Sequence, residues 1–83
     1  MKLHLRYFAS LREALGTGAE EWSSQAGTVG ALRDELIARG GCYAEALARS
    51  RTLRASVNQV LVAESVALSD GAEVAFFPPV TGG

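Results

Sequence analysis

The residues of this chain that could take part in chemistry are few, and the most unusual of them close the sequence. The last nine residues are AFFPPVTGG, positions 75–83. Gly82 and Gly83 carry no side chain, so the backbone there can enter a channel too narrow for a Cβ atom. No side chain shields the terminal carboxyl group from a nucleophile. Because a carboxylate is itself a poor electrophile, it would first have to be activated, for instance as an acyl-adenylate.

Two prolines precede this reactive end. Pro78 and Pro79 favour an extended exit from a strand, because each fixes φ and neither can donate a ladder hydrogen bond. The four residues that follow reach about 13–14 Å when fully extended, enough to place the carboxyl group inside a neighbour's active site. Two terminal glycines could also be a frayed end or a cloning scar. Together with the prolines and aromatics, they predict a folded domain over residues 1–79 and a flexible tail over residues 80–83.

The other reactive side chains do not form a recognisable catalytic or metal site. Cys42 is the only cysteine and His4 the only histidine, too few ligands for a zinc site or an iron–sulfur cluster. Cys42 could be a sulfur-relay thiol, but we interpret it as a small apolar filler. His4 is interpreted as a surface or interface residue. With no phosphate-binding loop either, the chain is expected to bind no metal or cofactor.

Composition excludes several classes of function. The 83 residues carry a formal net charge of −1, which argues against nucleic acid as a partner because phosphate binding needs a basic surface. No apolar run approaches the ~20 residues that cross a bilayer, and no signal-peptide pattern opens the sequence. A single cysteine fits a reducing cytoplasm. Arg49, Arg51 and Arg54 form a small basic cluster, most simply a solvated face, or else one that meets an acidic surface.

The elements that must position the tail follow from periodicity and turn residues. Alternation over KLHLRYFA, residues 2–9, predicts a strand. Ser10 and Glu13 form a capping-box pattern for a short helix that Gly16 ends. Thr28 can cap a main helix that Gly40-Gly41 ends. Further strands are predicted at residues 19–24, 54–57, 60–63 and 73–77, and helices at residues 28–41 and 43–50.

Strands therefore precede and follow one dominant helix. This order predicts an α+β fold with helices on one face of a mixed sheet of about four or five strands. The β-grasp, or ubiquitin-like, roll is the simplest such topology at this length.

The same alternation predicts which apolar side chains face away from the helices. Phe8 falls on the polar side of the first strand, opposite the side that should meet the helix. If Val60 and Val62 face inward, Leu61 faces outward. Phe77 also faces outward, because Phe76 is expected in the core. Three large apolar residues on one sheet face indicate a docking surface beside the tail.

The chain also resembles the small subunit of molybdopterin synthase. The resemblance is specific in DGAEVAFFPPVTGG, residues 70–83, and is carried as well by VNQVLV (57–62) and LRYFASLREALG (5–16). It is loose through residues 19–54. The family has the β-grasp fold and carries sulfur.

Several functional expectations come from this resemblance alone. An ATP-dependent, ubiquitin-activating-like adenylyltransferase adenylates the terminal glycine, here Gly83, and sulfur loading then gives a thiocarboxylate. The tail enters the large subunit of the synthase, in an expected heterotetramer. There the sulfur passes to cyclic pyranopterin monophosphate, and two such transfers build the molybdopterin dithiolene. The resemblance thus implies that this chain is the sulfur-donating subunit of a sulfurtransferase, without catalytic side chains of its own. The implied site residues are Gly82 and Gly83 at the reactive end, and Phe8, Leu61, Phe77, Pro78, Pro79, Val80 and Thr81 against the partners.

Three alternatives stay open from the sequence. A carrier for thiamine or tRNA thiolation would use the same tail chemistry, although thiamine-pathway carriers are usually shorter and lack the Phe-Phe-Pro-Pro run. A ubiquitin-like protein modifier is the second, but Lys2 is the only lysine, which leaves almost no site for chains built on itself. The third is an interaction module with an inert tail.

Overall fold

The order of strands and helices follows the prediction closely. The structure is a computed structural model, and it describes residues 1–79. The elements are β1 (Lys2–Tyr7), α1 (Ser10–Leu15), β2 (Ala19–Ser23), α2 (Val29–Ile37), α3 (Gly41–Ala46), β3 (Arg54–Val57), β4 (Val60–Val62) and β5 (Glu73–Phe77). All five predicted strands and three helices are therefore present. The main helix is shorter than expected, because the chain leaves it at Ile37 and Gly41 already belongs to α3.

The five strands form one mixed sheet in the order β2-β1-β5-β3-β4. At its centre β1 and β5 run parallel, with Leu5 opposite Val74 and Tyr7 opposite Phe76. The remaining neighbours are antiparallel. This is the predicted α+β, β-grasp arrangement, and it places the strand that leads to the tail between two others.

One face of the sheet is packed against the helices. The residues of β1 alternate between exposed and buried, as predicted for a half-buried strand. Burying a large apolar side chain contributes about 1.5–3 kcal/mol, so the core cluster holds sheet and helices together. Its members include Leu3, Leu5, Tyr7, Val74 and Phe76 from the sheet and Leu11, Val29, Leu32, Leu36 and Leu47 from the helical layer.

Of the two predicted N-terminal helix caps, that of α2 is confirmed and that of α1 is wrong. The Thr28 hydroxyl accepts a hydrogen bond from the Ala31 N–H at 3.2 Å, so the predicted cap of α2 is confirmed. The predicted capping box of α1 is wrong. The residue before that helix is Ala9, with φ 53°, and Ser10 already lies in the first turn. Gly16, with φ 74°, ends α1 as expected.

The hairpin between β3 and β4 is tied to the central strand. Asn58 and Gln59 have φ values of 50° and 70°, and two positive φ angles are those of a type I′ turn. Asn58 donates its N–H to the Glu73 carbonyl at 2.8 Å, and its side-chain oxygen accepts from the Glu73 N–H at 3.0 Å. The turn therefore fixes the start of β5.

Arg33 is a charged residue buried in the helical layer, where it is only 4% exposed. Its Nε donates to the Leu47 carbonyl at 2.8 Å, and its Nη2 donates to the carbonyls of Ala48 and Arg51 at 2.6 and 2.9 Å. Its Nη1 pairs with the Glu64 carboxylate at 2.8 Å. Arg33 thus fastens α2 to the end of α3 and to the segment that leads into β3.

Glu20 of β2 is the centre of a second polar cluster. Its carboxylate accepts hydrogen bonds from the hydroxyls of Tyr7 and Tyr43 at 2.8 and 2.7 Å and pairs with Arg39 at 3.0 Å. Partial burial opposes the charge, but the hydrogen bonds from Tyr43, Tyr7 and Arg39 outweigh it and hold the pKa of Glu20 below its usual range. Burial and the bond to Glu20 in turn raise the pKa of Tyr7. An ionised carboxylate therefore joins the edge strand β2 to α3.

Substitution of Glu20 tests this link. We expect Glu20→Gln to lower the free energy of unfolding at neutral pH by about 1–3 kcal/mol, because a neutral amide replaces the charged acceptor of the hydrogen bonds from Tyr7, Tyr43 and Arg39. Since the pKa of Glu20 is lowered on folding, its stabilisation is complete above the unfolded pKa of about 4.3 and is lost as the pH falls through the lower folded pKa.

Urea unfolding measures the free energy of unfolding of both proteins, once at neutral pH and once well below the folded pKa of Glu20. The two proteins should differ at neutral pH and converge in acid. Glu21→Gln, on the exposed side of the same strand, is the control. A difference that does not change with pH would contradict the role of the charge.

Candidate functional site

The described chain leads from the centre of the sheet to the base of the tail. β5 lies between β1 and β3, ends at Phe77 and is followed by Pro78 and Pro79. Strand pairing stops there as predicted, because neither proline can donate a hydrogen bond. The predicted tail residues Val80, Thr81, Gly82 and Gly83 lie outside the described residues.

Two aromatic residues lie side by side on the sheet face opposite the helices, here called the outer face. The register of β5 places Phe77 on that face, since Phe76 pairs with the buried Tyr7. The Phe8 N–H donates to the Phe76 carbonyl at 3.3 Å, which extends the β1–β5 pairing by one residue. The guanidinium of Arg6, on the outer face, lies 5.5 Å from the centre of the Phe8 ring. Phe8 therefore flanks Phe77.

Leu61 completes the apolar part of the outer face. It pairs with Ser56 of β3, which pairs with Ala75 of β5, so Leu61 lies two strands, or about 10 Å, from β5. Leu61 is 58% exposed and Phe8 is 44% exposed, whereas Ala75 between them is only 3% exposed. The result is a shallow apolar surface with small residues in its middle.

The predicted outward orientation of Phe8, Leu61 and Phe77 is thus confirmed. The degree of burial differs from the expectation at two positions. Phe77 is half-buried. Val60, expected inward, shares the helix side with Val57 by register but is 63% exposed. Val60 belongs to β4, the edge strand of the sheet, so no neighbouring strand covers it on that side in the described part of the chain. The docking role of the three residues stays a prediction.

The far end of the outer face is charged. His4 lies 3.4 Å from Glu21, and Arg6 lies 3.9 Å from Glu73. His4 is exposed, as predicted for a surface residue. Exposed pairs of this kind contribute about 0–1 kcal/mol, so these charges add little to the stability of the fold.

The three arginines of the predicted basic cluster are all exposed, as expected for a solvated face, but their side chains make different contacts. Arg49 pairs with Asp34 and Glu64, and the bond to Glu64 raises the pKa of Arg49. Arg51 donates its Nε to a backbone carbonyl at 2.7 Å. Arg54 belongs to β3 and lies opposite Phe77 on the outer face. Neither Arg54 nor Ala75 stands out in the sequence, although period-two alternation along their strands indicates the face of both.

Cys42 lines a groove that extends to Pro78. The groove has a volume of about 660 Å³ and includes Leu11, Arg51, Leu53 and Pro78 in its walls. The thiol of Cys42 is free and exposed, so the prediction of an apolar filler is wrong. The groove between α1 and α3 opens this position to solvent.

The described residues, 1–79, offer neither a metal site nor a membrane-spanning helix. Within residues 1–79, no three His, Cys, Asp or Glu side chains are grouped so that they could hold a metal ion. In the same part of the chain, no helix has both the length and the apolar character needed to span a bilayer.

Known proteins match the chain from end to end. The ThiS family matches residues 5–83. The molybdopterin synthase sulfur carrier subunit of Escherichia coli (strain K12) is 49% identical over 77 residues, which cover 93% of this chain and 94% of that protein. The subunit of the same name from Haemophilus influenzae is 40% identical over 81 residues, or 98% of this chain and 99% of that protein. The crystal structure of SAMP1 from Haloferax volcanii matches with a TM-score of 0.76 at 27% identity, covering all of both chains.

Proposed function

Because the chain belongs to the ThiS family, we propose that it is the sulfur carrier subunit of a molybdopterin synthase. The observation that carries the proposal is the identity of 49% over 93% of the chain with a protein of that name. The outer face and its place beside the tail support the proposal, since a carrier needs a surface that its partners recognise.

Gly83 is the reactive residue of the proposed cycle. An adenylyltransferase related to the ubiquitin-activating enzymes joins the Gly83 carboxylate to AMP from ATP and releases pyrophosphate. A sulfur nucleophile at the sulfide level then displaces AMP and leaves a thiocarboxylate. In the large synthase subunit, the thiocarboxylate sulfur attacks a carbon of cyclic pyranopterin monophosphate and displaces an oxygen from it, and two such transfers supply the two sulfurs of the dithiolene. Hydrolysis of the acyl–sulfur bond leaves the sulfur on the pterin and regenerates the carboxylate.

The division of roles between carrier and partner has a physical reason. A sulfur atom bound to a protein terminus is confined, so the pocket of the partner can exclude water and hold the reactants in attack geometry. In this proposal Phe8, Leu61 and Phe77 dock the large subunit, in a heterotetramer, and also the activating enzyme. The segment from Pro78 to Gly82 leads the terminus into each active site. The carrier itself binds no cofactor, and ATP belongs to the activating enzyme.

Intact-mass measurement tests the proposal. After incubation with the activating enzyme, ATP and a sulfur source, the mass should rise by one oxygen-to-sulfur exchange. The large subunit and cyclic pyranopterin monophosphate should then reverse the change and yield molybdopterin. An unchanged mass would contradict the proposal and leave an inert module. Conjugates with lysines of other proteins would indicate a modifier, and a thiocarboxylate that yields no molybdopterin would indicate thiamine or tRNA thiolation.

Substitutions on the outer face test the docking surface. We expect Phe77→Ala to weaken the complex with the large subunit by about 2–4 kcal/mol, because it removes a central aromatic anchor. Leu61→Ala is a companion at an exposed position, where the change does not disturb the core. Val60→Ala, on the opposite side of the same short strand, is the matched control and should keep the affinity. Calorimetric titration would measure the affinity of each variant. If neither Leu61→Ala nor Phe77→Ala lost affinity, both residues would be excluded from the interface.

A further inference from the structure

Arg54 is an exposed cation without a carboxylate partner in the described part of the chain. Arg33, Arg39 and Arg49 are each paired with carboxylates at 3.0 Å or less. Within residues 1–79, Arg54 forms neither an ion pair nor a side-chain hydrogen bond. Its charge is therefore neutralised only by solvent in this part of the structure.

Arg54 also has a defined place beside the apolar part of the outer face. It lies directly opposite Phe77 in the β3–β5 register, where facing Cβ atoms are about 4.5–5.5 Å apart. Ser56, two residues further along β3, separates Ala75 from Leu61 on the same face. A partner that covers both Phe77 and Leu61 would therefore also remove water from Arg54.

Loss of water from an unpaired guanidinium is unfavourable unless another group replaces that water. A carboxylate is the matching group, because it accepts two parallel hydrogen bonds from the guanidinium fork. The chain has a net charge of −1, and Arg6 of the same face is already paired with Glu73, so Arg54 does not belong to a basic surface for a polyanion. It fits one acidic side chain next to an apolar contact.

We propose that Arg54 is a specificity residue of the outer face and that the large synthase subunit presents an Asp or Glu carboxylate to it. This inference rests on the proposed function, which supplies the partner. The apolar residues provide contact area, and Arg54 discriminates against partners that lack the carboxylate, because such partners would leave its charge buried and unpaired.

Binding of the large subunit to charge variants tests the inference. Arg54→Met keeps an apolar stem without the charge, and we expect it to weaken binding about tenfold at low salt and to reduce the salt dependence of Kd. Arg54→Glu should weaken binding about a hundredfold or more, since it places like charges together. Lys2→Met is the matched control: it removes one positive charge from the outer face at the start of β1, about 20 Å from Phe8. It should leave both affinity and salt dependence unchanged.

The outcomes separate this inference from the function on which it rests. If the unsubstituted chain forms no complex with the large subunit, the proposed function fails and the inference fails with it. If the complex forms but Arg54→Met behaves like the unsubstituted chain or like Lys2→Met, only the inference is overturned. Restored binding of Arg54→Glu by an acidic-to-lysine substitution on the large subunit would identify the carboxylate, and failure of every such substitution would count against it.

Discussion

Deletion of Gly83 is expected to abolish thiocarboxylate formation while the melting temperature stays unchanged. The deletion moves the reactive carboxyl group back by one residue, or about 3.4 Å. A misplacement of only about 1 Å can cost a reaction a hundredfold in rate. The folded core lies within residues 1–79, so its stability should not depend on the last residue. Intact mass after the activation reaction, beside a thermal unfolding curve, measures both expectations.

Two related variants separate length from residue type. Gly83→Ala keeps the length and adds a Cβ atom, and an added glycine after Gly83 keeps the terminal residue and lengthens the tail. We expect both to lose loading, because the proposed pocket admits neither extra width nor a shifted carboxyl group. Normal thiocarboxylate formation on a chain that ends at Gly82 would contradict the assignment of Gly83.

Arg33→Met is expected to cause the largest loss of stability, about 3–5 kcal/mol, because it leaves the carbonyls of Leu47, Ala48 and Arg51 without their donor and removes one of the two arginines that pair with Glu64. In a domain of this size such a loss lowers the melting temperature by at least about 12 °C. Chemical denaturation at neutral pH measures the change. Since marginal domains have only about 5–15 kcal/mol in total, the variant would be close to unfolding in the cell.

Arg33→Lys and Arg54→Met are the comparisons for this prediction. An ammonium group keeps the charge but lacks the planar fork, so Arg33→Lys should recover only part of the stability. Arg54→Met removes an exposed arginine and should leave the unfolding curve where it was. A loss below about 1 kcal/mol for Arg33→Met would show that its buried hydrogen bonds are replaced by others.

The parts of the fold that could be predicted depend on local sequence. Period-two alternation requires only neighbouring residues, and it correctly placed Phe8 and Leu61 on the outer face. The hairpin at Asn58-Gln59 likewise follows from the two-residue gap between the strands predicted at residues 54–57 and 60–63. The cap of α1 was predicted wrongly, because the sharp backbone turn at Ala9 leaves no mark in a residue that usually favours helices.

The buried polar residues could not be assigned because their partners are distant in sequence. Arg33 follows Val29 by four residues and lies on the apolar side of α2, which is a detectable signal for a buried arginine. Its partners, the carbonyls of Leu47 and Ala48, are brought close only by the packing of α3. The exposure of Cys42 and Val60 was missed for a similar reason, since burial depends on which elements cover a position.

The central place of β5 also determines how the domain responds to mechanical force. A pull applied beyond Pro79 acts along β5, which is bonded to the parallel β1 on one side and to the antiparallel β3 on the other. Ladder hydrogen bonds across the direction of pull bear the load together in shear and do not open one after another. Traction on the terminus during the proposed cycle would therefore be transmitted through the sheet without separating its strands one by one.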